Sequence, residues 1–298
     1  NKDIMSTHKA GFVNIIGKPN AGKSTLMNAL VGEKLSIITS KAQTTRHRIM
    51  GLVNGEDFQI VYSDTPGIIN PAYKLQKSMM NFVEGAFIDA DLFLFIIDPT
   101  DKDTDYTAVI EKVKKHHADV IVVINKIDLL NNEIVSQEVE KWVSIFPDSP
   151  IIPTSALHKF NLVPIFNEII DRLPENPPYF PKDDLTDRPT RFFVSEIIRE
   201  KILLTYKQEI PYSCEVVVTE YEESATLDRM RAVIYVTRES QKGIIIGKNG
   251  TALKRIGTEA RKDIEEFLQK KVFLELFVKV MKDWRDDEKS LRQFGYEQ

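Results

Sequence analysis

In the first half of the chain, apolar residues come in short unbroken runs, and each run is followed by a longer stretch of mixed polarity. Residues 12–16, 58–62, 92–97, 120–124 and 151–152 are the runs, and residues 24–31, 75–88, 104–117, 134–146 and 162–172 read as helices. Strands that are apolar throughout are buried on both faces. Their alternation with helices predicts an α/β domain whose sheet is mostly parallel, with helices on both faces. Residues 49–54 are half polar and lead into 58–62 through Asn54-Gly55, which predicts a hairpin edge.

The rhythm changes beyond residue 190. A helix near 195–206, strands near 213–220 and 230–237, a helical region over 241–270 and a strand over 272–280 predict an α+β unit with a small sheet. Between the two patterns, residues 174–189 carry Pro174, Pro177, Pro178, Pro181 and Pro189. Proline lacks an N–H and fixes φ, so this stretch can be neither helix nor central strand, and it reads as a semi-stiff linker. The expected division is residues 9–173, a linker over 174–189, and 190–298.

The 298 residues agree with two domains, and the single cysteine, Cys214, excludes a disulfide framework or a thiolate metal cluster within the chain. That usage fits a reducing cytosol. The longest apolar runs fall far short of the roughly 18 residues a membrane span needs. The polar start, residues 1–10, has no apolar signal core and reads as a frayed beginning, with Met5 a candidate internal start. The net charge of −4 argues against a chain that binds polyanions over its whole surface. The charge is unevenly spread, however. Residues 238–282 hold 11 Lys and Arg against 6 Asp and Glu, a basic module that points to a nucleic-acid face.

Gly17-Lys-Pro-Asn-Ala-Gly22-Lys23-Ser24 has the spacing of a P-loop, placed after one predicted strand and opening a helix. Gly17 and Gly22 let main-chain N–H groups turn toward phosphate oxygens, and the helix adds its positive end. Lys23 reaches the β- and γ-phosphates, Ser24 offers a hydroxyl to Mg²⁺, and Asn20, Ala21 and Thr25 complete the wrap. Asp64-Thr65-Pro66-Gly67 ends the second of the long apolar strands. By itself it is a common turn. In this position Asp64 can hold Mg²⁺ through water, and the Gly67 N–H can sense the γ-phosphate.

Asn125-Lys126-Ile127-Asp128 follows the run 120–124 at the carboxyl edge of the sheet, where open α/β folds bind ligands. Guanine presents two donors, N1–H and the 2-amino group, on one edge. One carboxylate, Asp128, can accept both, whereas adenine would meet it with a lone pair. Asn125 braces base and loop, and Lys126 lies along the ring. Thr154-Ser155-Ala156 follows the last short run, and the Ala156 N–H is a candidate donor to guanine O6. This last signal is weak by itself, but four motifs in this order and spacing, each at a strand end, are strong together.

In the second unit, Gly243-Ile-Ile-Ile246-Gly247-Lys248-Asn249-Gly250 places a G-x-x-G loop inside a helical region. Such a loop joins two helices in KH domains and clamps about four nucleotides. Lys242, Gly243, Ile246, Gly247, Lys248, Asn249 and Gly250 are the candidate RNA contacts, with Arg238, Lys254 and Arg255 as an electrostatic rim. The element order fits a type II KH domain.

The five motifs of the first unit resemble those of translation-factor-related GTPases, with Thr44 and Thr45 as the switch threonines. Residues 40–48, 239–250 and 284–288 are similar to the Era GTPases, and the resemblance covers nearly the whole chain. That resemblance implies GTP/GDP and Mg²⁺ as cofactors and Lys23, Thr44, Thr45 and Gly67 as the residues acting on the triphosphate. It implies Ser24, Thr44, Thr45 and Asp64 around the metal, without choosing between the threonines. It further implies binding to the 3′ end of 16S rRNA and a role in 30S subunit assembly. A monomeric, cytoplasmic protein loosely associated with the inner membrane is also implied. Ile68 stands where Ras-like enzymes carry the water-orienting glutamine, which predicts slow turnover. Asn20 resembles the asparagine of potassium-using relatives, so K⁺ is a further expected cofactor. Two other readings stay open at this point. One is a GTP-sensing RNA chaperone with negligible turnover, and the other is a P-loop nucleotide kinase, which the guanine motif opposes.

Overall fold

The computed structural model describes residues 7–296, so the residues before Thr7, including Met5, lie outside it. Two compact units are present. The first comprises residues up to 36, 45–70 and 79–187; the second comprises 37–44, 71–78 and 188 onward.

The first unit is a six-stranded sheet. Its strands are β1 (Lys9–Gly17), β2 (Ile49–Asn54), β3 (Phe58–Asp64), β4 (Leu92–Ile97), β5 (Asp119–Ile124) and β6 (Ile151–Pro153). They lie in the order β2-β3-β1-β4-β5-β6, all pairs parallel except β2 with β3. The β2–β3 hairpin through Asn54-Gly55 is therefore the edge that its half-polar sequence predicts. Every residue of β4 is buried, as an interior strand covered on both faces requires. The helices are α1 (Lys23–Val31), α2 (Lys74–Ile88), α3 (Thr107–Lys114), α4 (Asn132–Ile145) and α5 (Leu162–Arg172). Phe87, Phe93, Phe95, Trp142 and Phe146 form one aromatic core on a single face of the sheet. α3 is shorter than its sequence suggests. Asp105 accepts from both the backbone and the hydroxyl of Thr107, a local bond that competes with helix and delays its start.

The proline-rich stretch expected as a semi-stiff linker is hydrogen-bonded along this unit as far as Asp187. Gln59, fully buried, accepts from the Tyr179 and Phe180 N–H at 2.8 and 3.0 Å. The Leu52 N–H donates to the Leu185 carbonyl at 2.9 Å. Prolines have no N–H to give a ladder, but their carbonyls and the N–H groups between them can serve an edge strand.

The second unit contains α6 (Thr190–Thr205), α7 (Ile210–Ser213), β7 (Glu215–Glu222), β8 (Leu227–Val236), α8 (Glu239–Ile246), α9 (Thr251–Leu268), β9 (Lys271–Val280) and α10 (Glu288–Gln293). β8 pairs antiparallel with β7 and parallel with β9, giving a mixed three-stranded sheet. Ile256, Ala260 and Ile264, spaced four apart on α9, are fully buried with Val194, Ile198 and Ile202 of α6 and with Ala232 and Ile234 of β8. This is the helix–strand–strand–helix–loop–helix–strand order of a type II KH domain. Cys214 is fully buried in the same core. α6 starts at Thr190, five residues before the sequence expectation, because Pro189 serves as its extended N-cap rather than as a spacer.

Candidate functional site

In the first unit the register brings three strand ends together. Ile15 of β1 faces Asp64 of β3, and Gly17 faces Ile96 of β4. Gly22 has φ +100°, and a side chain there would place its Cβ 2.2 Å from the Asn125 amide nitrogen. Glycine is therefore required at Gly22 by both backbone and space. Gly67 has a similar restriction, since a Cβ would come within 2.8 Å of the Pro19 main chain.

Lys23 is buried, and its ammonium donates to the Lys18 carbonyl at 2.8 Å. Burial pulls its pKa down to about 8, with Asp64 opposing. A cation held this far from water is stabilised by a bound polyanion. The Ser24 hydroxyl lies 2.6 Å from Asp64 Oδ2 and 2.9 Å from the Thr45 hydroxyl. Asp64 is fully buried, and burial raises its pKa against the hydrogen bonds from Ser24 and Thr45. Its Oδ1 is buried without a partner. Two hydroxyls and a carboxylate with an unused buried oxygen form a hard, all-oxygen donor set, which fits Mg²⁺. Of the two switch threonines, Thr45 stands in this group. The Thr44 hydroxyl is 2.6 Å from both the Thr39 hydroxyl and the Lys41 carbonyl instead, so the geometry does not place it in the metal set. Asn20 is exposed with φ +62° at the P-loop turn. Ala21 is buried, Thr25 half-buried.

The base loop is built from β5 and β6. Asn125 donates to the Ala21 carbonyl at 2.9 Å and accepts from the Ala156 N–H at 3.0 Å. It thus ties the phosphate loop to the loop after β6. The Ala156 N–H, expected to meet guanine O6, is committed to Asn125. The Ser155 hydroxyl donates to Asp128 Oδ1 at 2.6 Å, and His158 Nε2 is 3.8 Å from Oδ2. Lys126 has φ +62°, and its ammonium pairs with Asp98 at 2.5 Å. Asp98, Ser155 as a side-chain donor and His158 had no motif to mark them; only the parallel order of β4, β5 and β6 brings them here.

Replacing Asn125 with alanine leaves the Ala21 carbonyl and the Ala156 N–H buried without a partner. Each orphaned group costs about 1–3 kcal/mol. Asn125→Ala should therefore weaken GTP and GDP binding together by about 100-fold or more, measured by calorimetry. Unchanged affinity would show that the two loops do not need this tie.

In the second unit, Gly247 has φ +72° and ψ 175°, Asn249 φ +53° and Gly250 φ +74°. These turn the chain between α8 and α9 and leave Lys248 and Asn249 exposed. Nothing lies within 4 Å of a Cβ placed on Gly250, so a backbone could approach it closely. Ile245 is fully buried, Ile244 half exposed, and Ile246 packs partly on the core. Gly243 is exposed and Lys242 half-buried. From Gly250 a groove of about 550 Å³ runs between α9 and β9, lined by Lys254, Arg261, Phe273 and Leu276 among others. Phe273 is 46% exposed and stacks under Arg229. Arg261 and Phe273 are candidate contacts the sequence did not single out, because only the packing of α9 beside β9 sets them in one groove. Arg255, taken as rim, pairs with Glu259 at 3.1 Å.

Fold and site together define a guanine-nucleotide P-loop protein with a KH domain fused behind it. The family described as "50S ribosome-binding GTPase" matches residues 12–126, and the KH domain family matches residues 209–285. GTPase Era of Syntrophus aciditrophicus is 45% identical over 97% of this chain and 95% of its own. The chloroplastic ERA-like GTPase of Oryza sativa is 43% identical, over 98% of this chain and 70% of its own. A crystal structure of Era with MgGDPNP and nucleotides 1506–1542 of 16S ribosomal RNA superposes with a TM-score of 0.92 at 40% identity, over 98% of this chain and all of that one. A variant of Aquifex aeolicus Era bound to GDP and AlF4⁻ gives the same score and identity, over 97% of this chain and all of its own. The chain belongs to the GTPase Era family, and it is a GTPase.

Proposed function

We propose that this GTPase is a switch that binds the 3′ end of small-subunit ribosomal RNA in one nucleotide state and assists small-subunit assembly. The observation that carries the reading is the convergence of Ser24, Thr45 and Asp64 beside Lys23, with Asn125 linking that group to the Asp128 loop. Ser24, Thr45 and Asp64 would hold Mg²⁺, which would neutralise charge between the β- and γ-phosphates. Lys23 would bind the same phosphates, Gly67 would report the γ-phosphate through its N–H, and Asp128 would select guanine. The relative bound to nucleotides 1506–1542 of 16S rRNA supports the RNA partner. The exposed Gly247–Gly250 turn and the groove lined by Lys254, Arg261 and Phe273 offer it a clamp and a stacking surface. Cytoplasmic location, a monomeric state, work on the 30S subunit and loose contact with the inner membrane belong to the same reading and rest on family resemblance. No helix of the described residues is long and apolar enough to cross a membrane.

Ile68 packs on the aromatic core of the first unit and has no group to orient water. Single-turnover phosphate release should therefore be slow, at or below about 0.01 s⁻¹, and should rise several-fold with the 16S 3′-end RNA. If release stays at the buffer rate with RNA present, the protein is a GTP-sensing RNA chaperone instead. Exposed Asn20 at the P-loop turn supports K⁺ as a second cation. Exchange of K⁺ for Na⁺ should lower the rate several-fold, and an unchanged rate removes potassium from the mechanism.

A further inference from the structure

The second unit includes two short stretches from far back in the sequence, residues 37–44 and 71–78. The first ends at Thr44, one residue before the threonine that joins Ser24 and Asp64. The way it is held is unusual in its use of charge. α6 buries three charged side chains, Glu196, Arg199 and Glu200, each at most 5% exposed. Buried charges are retained at a cost and are stable only when fully paired. Arg199 meets both oxygens of Glu196 at 2.7 and 2.6 Å. Two further donors go to consecutive main-chain carbonyls, Gln43 at 3.4 Å and Thr44. Glu200 accepts from the Ile38 N–H at 3.4 Å. In return, the Lys41 ammonium caps the Leu203 and Tyr206 carbonyls at the C-terminal end of α6, where a cation also suits the helix dipole.

Gln43 adds a second, independent observation. Its φ is +55°, a conformation that costs a non-glycine residue of order 1 kcal/mol and persists where the surroundings impose it. The Arg199 guanidinium grips the carbonyl of this residue and of the next. The Tyr73 hydroxyl, on the stretch 71–78, donates to the Gln43 side chain at 3.0 Å. That second stretch is itself held by the Arg285 carbonyl and the Asp286 carboxylate, which accept from the Leu75 and Lys74 N–H at 2.9 and 3.1 Å.

We propose that Arg199, oriented by Glu196, is a positioning residue for triphosphate recognition: by fixing the Gln43 and Thr44 carbonyls it sets where Thr45 can stand. A group from the RNA-binding unit then helps decide whether GTP or GDP is preferred. The proposal rests on Thr45 meeting the metal only in the triphosphate state, which is how γ-phosphate and Mg²⁺ order switch loops in general. Lysine at this position cannot reproduce a planar fork that serves one carboxylate and two carbonyls.

The test compares Mg²⁺–GDP with a Mg²⁺-bound non-hydrolysable GTP analogue on the full chain by calorimetry, for Arg199→Met, Arg199→Lys and Lys41→Met. Lys41 is half-buried on the surface of the segment, so its variant keeps the test alive if Arg199→Met does not fold. The expected result is GDP affinity within twofold of the parent and analogue affinity about 10-fold lower in Arg199→Met. The drop should be smaller in Arg199→Lys and in Lys41→Met. The Mg²⁺ concentration for half-maximal hydrolysis should rise in the same order. A ratio of the two affinities that stays within twofold of the parent, or an equal loss for both nucleotides, overturns the proposal. RNA affinity of the nucleotide-free parent, measured alongside by fluorescence anisotropy, tests the RNA reading separately.

Discussion

Asp128→Asn should lower GTP affinity by about 100- to 10,000-fold and make the protein prefer xanthosine triphosphate. The carboxylate accepts two hydrogen bonds from guanine in the proposed pose. Bonds to a charged partner contribute about 1.5–3 kcal/mol each, so losing the charge and one acceptor spans that range. The structure fixes which oxygen stays an acceptor. Ser155 donates to Oδ1 at 2.6 Å, so the amide of the asparagine would keep its oxygen on Ser155 and turn its NH₂ toward the base. The second lone pair of that oxygen would still accept from N1–H, but the NH₂ would face the 2-amino group of guanine, donor against donor. Xanthine presents a carbonyl at C2 and accepts from the same NH₂. Asparagine has nearly the shape of aspartate and the site is partly exposed, so folding is not at risk. Calorimetry with GTP and xanthosine triphosphate reads the result. Unchanged GTP affinity would move guanine selection away from Asp128 and, with it, the assignment of the base loop.

The same residues mark what can be read in the chain and what cannot. The phosphate loop, Asp64 and the base loop are contiguous strings fixed by local demands, such as the left-handed turn at Gly22 or a carboxylate at a strand end. They are legible because each string carries its own chemistry. The choice between Thr44 and Thr45 is not, since adjacent threonines have the same local signature and only the hydroxyl partners separate them. The Lys126–Asp98 pair joins residues 28 positions apart, and the Ala156 N–H serves Asn125 across two loops. The stretch 174–189 is only half legible for a physical reason: proline density reports the absence of helix and central strand, and a strip pinned along a sheet edge satisfies that as well as a semi-stiff linker does. Burial of Arg199 could not be inferred either. A lone arginine at helical spacing reads as a solvated face, and nothing short of the fold says that it reaches Gln43.

Gly247→Asp should abolish recovery of RNA crosslinked to the GTP-loaded protein, and this is the largest effect expected in the second unit. Gly247 sits at φ +72° and ψ 175°, a region that only glycine populates readily, at a cost of about 1–3 kcal/mol for other residues. A Cβ there would also come 2.6 Å from the Ala252 Cβ at the start of α9. The aspartate must therefore reshape the turn that presents Lys248 and Asn249, and it adds a negative charge where phosphate would lie. Reshaping and charge are separated by Lys248→Glu. Lys248 is exposed, so this reversal should leave the unfolding temperature within about a degree or two. It should still weaken RNA binding by roughly 10- to 100-fold and reduce the salt dependence by about one phosphate contact. If Lys248→Glu keeps the parent's affinity and salt slope while Gly247→Asp loses RNA, the loop acts through its shape alone. If both variants recover the same RNA as the parent, the turn between α8 and α9 does not bind it. The groove lined by Lys254, Arg261 and Phe273 would then have to carry the interaction without a clamp.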